Sequence, residues 1–144
     1  MITTLEGTLT AVTENAAHVR VSTGITLEAQ VPAFLCSDLA SRLGATVTLH
    51  TRLTLDTTTQ GASFTPRLVG FSSPRDRAFF ELLTSVRGFG ARKALRAMTM
   101  PCGEIAGAIA SGDAALLQTL PEIGKKMATT IINELGEKAL AFAP

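Results

Sequence analysis

Up to about residue 71, apolar side chains alternate with threonine, arginine and glutamate: Val19 and Val21, then Ile25, Leu27, Ala29 and Val31, then Val47, Leu49, Leu53 and Leu55. A period of two turns one side of each stretch to a core and the other to solvent, which predicts half-buried strands. STG at 22–24 predicts a tight turn between two of them, and AFLCSDLASRLG at 33–44 predicts one short helix closed by Gly44. Further strands over Leu5 to Val12 and Arg67 to Phe71 bring the count to five. After SSP at 72–74 the period becomes helical, with Phe79, Leu82, Leu83 and Val86 at i, i+3, i+4 and i+7. Pro74 suits a first helical turn, Pro101 opens another helix, Asp113 can cap a third and Gly136 can end the last. About five short helices follow the strands.

The expected fold class is therefore α+β, strands first: a five-stranded barrel over residues 1–72, then an all-helical unit over 73–140. Five strands with one interposed helix suit a partly open Greek-key barrel of the oligonucleotide/oligosaccharide-binding (OB) type, a generic small barrel being the alternative.

Composition adds limits rather than chemistry. The 144 residues are 46% hydrophobic and 17% charged, which describes a globular chain, and no apolar run approaches the roughly 20 residues that span a bilayer. MITTLEGTLT has neither a basic nor an apolar export segment, so the expected location is the cytoplasm, with no membrane partner. Cys36 and Cys102 lie too far apart for a ligand motif and read as inert, buried thiols. His18 and His50 fall within strand-like text and read as structural. No metal, cofactor or catalytic residue is expected.

Charge matters more in its distribution than in its sum. The net charge is +1, but residues 67–96 carry a net +5, while the segments on either side carry −2 each. A local positive field suits phosphate, and equally suits a solvated helix face.

Within and beyond that basic stretch one pattern is written twice, VRGFGARKA at 86–94 and LPEIGKKMA at 120–128, thirty-four positions apart. Each joins the end of one helix to the start of the next, which makes a helix-hairpin-helix. Glycine admits positive φ and lets another backbone come close, while the N–H groups of the second helix's first turn point outward with the positive end of its dipole. Cations just after the glycine add charge where a phosphate would rest, and such contacts hold a duplex without reading its bases. Two plain αα-turns are the alternative. A P-loop fails because the stretch ending at Lys126 starts with Thr119 and lacks the final Ser or Thr, and a dinucleotide fingerprint fails at Lys93. A tetratricopeptide repeat fails because the chain has no Trp or Tyr.

The chain resembles the RuvA family of bacterial Holliday-junction branch-migration subunits. MITTLEG is similar to the family's opening; ITLEAQVP, VTLHT and LVGF are similar to its barrel strands; and the paired hairpins sit in its order. The resemblance implies a barrel that assembles a homotetramer and a tandem helix-hairpin-helix domain that holds the arms of a four-way junction. It assigns Gly88, Gly90, Arg92 and Lys93 to one phosphate site, and Gly124, Lys125 and Lys126 to the other. The family also carries an acidic pin on a barrel hairpin at the junction's crossover, for which LTLDTTTQGASFTPRLVGF offers Asp56 and several extra residues. Glu122 stands where the second hairpin usually has glycine. The chain stops at AFAP, where the family continues to a small domain that engages the RuvB ATPase, so recruitment of that motor is not carried over.

Other functions make demands that the sequence meets less well. LPEIGKKMA also resembles the hairpin of base-excision glycosylase/lyases, with Lys126 as the Schiff-base nucleophile, but no Asp follows it and no Cys cluster is present. Single-strand binding on the barrel calls for stacking rings, of which the first half has only Phe34, Phe64 and Phe71. A general duplex-binding module is the nearer alternative.

Overall fold

The computed structural model describes residues 1–57 and 64–144, which form two compact units: Met1–Val31 with Leu35–Arg77, and Pro32–Phe34 with Ala78–Pro144.

The first unit contains β1 (Thr4–Val12), β2 (Ala16–Ser22), β3 (Ile25–Gln30), most of α1 (Ala33–Ala40), β4 (Thr46–Thr57) and β5 (Phe64–Phe71). The strands close into a barrel in the order β1-β2-β3-β5-β4. All neighbours are antiparallel except β3 and β5, which run parallel through Ala29 opposite Leu68 and Gln30 opposite Val69. Five strands in this order, with a helix between the third and fourth, are the OB arrangement the strand pattern predicts. The period-two residues Leu5, Leu9, Ala17, Val19, Ala29, Val47 and Leu49 fill the interior, joined by Leu35 and Leu39 of α1. Their burial supplies the barrel's hydrophobic stabilisation. β1 serves two neighbours, pairing with β4 from Thr4 to Thr8 and with β2 from Thr8 onward. At the crossing stands Gly7, where a Cβ would collide with the Arg20 carbonyl, so no other residue fits without moving the backbone.

Two details differ from the sequence expectation. α1 stops at Ala40 rather than running to Gly44, because Ser41 Oγ donates to the Asp38 carbonyl at 2.7 Å and Arg42 N–H donates to the Leu39 carbonyl at 2.9 Å, tightening the chain into a turn. Gly44 closes that turn at φ 85°. Leu53 and Leu55 alternate as expected but stay 41% and 61% exposed. β1 pairs with β4 only as far as His50, so beyond it β5 is the sole strand neighbour of β4 among the described residues. Phe64, at the start of β5, is likewise exposed.

The second unit is helical, comprising most of α2 (Pro74–Thr84), then α3 (Ala91–Ala97), α4 (Cys102–Ser111), α5 (Ala114–Gln118), α6 (Lys125–Leu135) and a 3-10 turn over Lys138–Ala141. Phe79, Phe80, Leu83, Phe89, Met98, Ile105, Ile109, Leu117 and Ile131 are all but fully buried and form its core, and the Phe79 and Phe142 rings meet at 5.5 Å. Pro74 opens α2, Pro101 precedes α4, and Asp113 caps α5 by accepting the Leu116 N–H at 3.0 Å. Gly136 follows α6 but keeps right-handed helical angles, so the chain continues into the 3-10 turn instead of reversing. Among the described residues no helix is long and apolar enough to cross a membrane.

Candidate nucleic-acid interface

The two repeated segments fold alike, bond for bond. In the first, Val86 N–H donates to Leu83 O (3.2 Å), Phe89 N–H to Val86 O (3.1 Å) and Ala94 N–H to Gly90 O (3.0 Å). Thirty-four residues on, Leu120 donates to Leu117 (3.1 Å), Ile123 to Leu120 (3.3 Å) and Ala128 to Gly124 (2.9 Å). Burial follows the same repeat: Val86, Phe89 and Ala94 in one hairpin, Leu120, Ile123 and Ala128 in the other, anchor the bends from below. That anchoring leaves Gly88, Gly90, Arg92 and Lys93 on the outside, together with Gly124, Lys125 and Lys126. Each set predicted from the sequence is therefore brought together at one exposed bend.

The glycines divide the work. Gly88 takes φ 82°, the left-handed geometry that needs glycine. Gly90 (φ −82°, ψ −178°) and Gly124 (φ −91°, ψ −174°) cap α3 and α6 in extended geometry open to any residue, and a Cβ on either would meet nothing within 4 Å. Neither contributes a capping side chain, although serine or aspartate is the favoured residue at such a position and α5 uses Asp113 in that way. Among the described residues, the backbone N–H groups of Ala91, Lys93, Lys125, Lys126 and Met127 donate to no protein acceptor. Both helices thus end in open donors with a clear approach, a geometry that receives anions.

The cations are unequal. Lys125 and Lys126 are exposed on the first turn of α6, while Lys93 Nζ folds back toward the Gly88 carbonyl at 3.4 Å. The basic stretch of the sequence does not act as one patch. Arg67 is ion-paired with Asp56, and Arg77 Nη1 donates to the carbonyls of Thr3 (3.0 Å) and Thr51 (3.3 Å). Arg96 Nη1 lies 3.2 Å from Glu122 Oε1. The sequence marks Glu122 by its place opposite Gly88 in the repeat, whereas nothing in it points to Arg96 as the partner.

Asp56, the pin candidate, lies near the end of β4 with its carboxylate against Arg67 Nε, two residues along β5 from its direct partner Thr65. Its charge is compensated. The rest of the extended loop, residues 58–63, lies outside the described residues. His18 sits across from Glu28, with Nε2 3.3 Å from Oε2, and His50 is a strand residue between Thr4 and Phe71. Cys102 is buried as expected; Cys36 is only partly so, and its burial pushes the thiol pKa up, away from the reactive thiolate. Among the described residues no cluster of three or more His, Cys, Asp or Glu could hold a metal ion.

Comparison with known proteins agrees with this geometry. The family model of the RuvA N terminal domain matches residues 1–60, and that of the SAM-like helix-hairpin-helix tandem matches residues 80–137. The chain is 37% identical to the Holliday junction branch migration complex subunit RuvA of Rhodopirellula baltica over 143 residues, which cover 99% of this chain and 69% of that protein. This chain belongs to the RuvA family. Other RuvA proteins match in part. That of Corynebacterium aurimucosum is 46% identical over 78 residues, 54% of this chain and 39% of the relative. That of Novosphingobium aromaticivorans is 38% identical over 101 residues, 69% of this chain and 47% of the relative.

Proposed function

We propose that this RuvA-family chain is a non-catalytic subunit that binds the duplex arms of four-way DNA junctions, gripping sugar-phosphate backbones without reading sequence. One observation carries the reading: Gly90 and Gly124 cap their helices where neither backbone geometry nor packing requires glycine, leaving donors uncovered and space in front of them. Physics internal to the chain would prefer serine there. An external backbone coming close explains glycine in both places. Gly88, Gly90, Arg92 and Lys93 form one phosphate cradle, and Gly124, Lys125 and Lys126 the other. The names of the similar proteins supply the junction as the target.

The test is a gel shift comparing a four-way junction with a linear duplex of equal length, run also on Gly90→Ser and Gly124→Ser. The unaltered chain is expected to favour the junction. Equal affinity would instead favour a general duplex-binding module. Each serine should stabilise its helix by a few tenths of a kcal/mol by capping it, yet weaken junction binding by occupying the approach. Variants that gain stability and keep full affinity would contradict the cradle.

Residues 1–72 are read as the assembly domain of a homotetramer. Support comes from exposed apolar residues on this unit, Ile25, Leu43, Leu53, Leu55 and Phe64, and from the marginal core of so small a barrel. Light scattering at the mass of a single chain would contradict it. The lyase alternative has little support, since Lys126 stands exposed on a helix's first turn rather than enclosed in a pocket. Borohydride trapping on abasic DNA that gave a covalent adduct would revive it.

A further inference from the structure

Glu122 is the only non-glycine residue with positive φ among those described, at 70°, in the place the repeat gives to Gly88. A side chain there is strained, since the left-handed region crowds Cβ against the following carbonyl. Its carboxylate reaches out of the second bend to Arg96, on the second helix of the first hairpin, at 3.2 Å. The contact ties one hairpin to the other. Arg96 and Glu122 are 60% and 29% exposed, so the pair is of the solvent-screened kind that adds little to stability. Strain accepted for little stability points to another role.

We infer that Glu122 withholds Arg96 from DNA, so that a carboxylate of the second bend cancels a cation of the first hairpin. This inference rests on the phosphate-binding role proposed above. As a pair the two residues carry no net charge. If Arg96 stays on Glu122, it neutralises no phosphate. If it turns to a phosphate, an uncompensated carboxylate remains beside a polyanion, and much of what was gained is lost. Either way the pair releases almost no counterion, although a lone arginine at that position would release about one. The first bend has no such competitor, because its equivalent residue is Gly88. The two cradles, alike in backbone, are therefore unequal in electrostatics.

The experiment measures junction affinity against salt for Glu122→Gln, Glu122→Gly, Arg96→Ala and the Glu122→Gln/Arg96→Ala double variant. Glu122→Gln removes charge and keeps the side chain. It is expected to steepen the slope of log K against log salt by about 0.9 and to tighten binding about eightfold at 0.1 M salt, one neutralised phosphate's worth. Adding Arg96→Ala should cancel that gain, and Arg96→Ala alone, which leaves the Glu122 carboxylate uncompensated beside the phosphates, should bind more weakly than the unaltered chain. Glu122→Gly should match the gain in binding and also raise the melting temperature by about 2 to 4 °C, which separates the strain from the charge. An unchanged slope in Glu122→Gln, or a Glu122→Gln/Arg96→Ala double variant that keeps the gain, would overturn the inference. An unaltered chain whose binding ignores salt would defeat the phosphate-cradle reading itself, a different and separable result.

Discussion

Raising salt from 50 to 200 mM is expected to weaken junction binding about 10³- to 10⁵-fold, the loss that accompanies release of counterions from about 6 to 10 phosphates neutralised per bound complex. The structure offers the means for contacts of this kind. Arg92, Lys93, Lys125 and Lys126 surround the two uncapped helix starts, and backbone amides carry no base information. Of the remaining cations, Arg67 meets Asp56, Arg77 the carbonyls of Thr3 and Thr51, and Arg96 meets Glu122. Fluorescence anisotropy with a labelled four-way junction across that salt range provides the measurement. A flat response would mean that recognition rests on something other than phosphate.

Replacing both Lys125 and Lys126 by alanine is expected to lower affinity about 60-fold at 0.1 M salt, two phosphate contacts at roughly 0.9 log unit each, and to flatten the salt slope by nearly two. The loss should be the same for junctions of any base sequence. Folding should be untouched, because both side chains project from an exposed turn anchored by the buried Ile123 and Ala128. A loss that varied with base sequence would show that these lysines read base edges, and would place hairpin two in a groove rather than on the backbone.

Much of this was open to reading in the chain itself. The change of period near Pro74 separated strands from helices, and the thirty-four-residue repeat located both bends, because buried anchors and exposed glycines recur at fixed spacing whenever a turn is used twice. What escaped depended on pairings made only after folding. Leu53 and Leu55 alternate as well as any core strand; their exposure follows from where β1 stops pairing with β4, a matter of register rather than of local pattern. The compensation of Asp56 likewise needs the alignment that brings Arg67 diagonally across from it. Arg96 and Glu122 lie twenty-six positions apart, one on α3 and the other in the turn before α6, and meet only once the chain is folded. Glycine itself was ambiguous: one letter serves a left-handed bend at Gly88 and open access at Gly90, and only dihedral angles separate the two uses.

The short parallel rung between β3 and β5 also decides where the sheet keeps a free margin. A sheet with a free margin invites a neighbour to extend it by one more strand. At the waist of this barrel Ala29 and Gln30 already take up Leu68 and Val69, so that the ring is complete. What open margin remains lies along the β4–β5 hairpin beyond His50, where neither β1 nor β3 reaches.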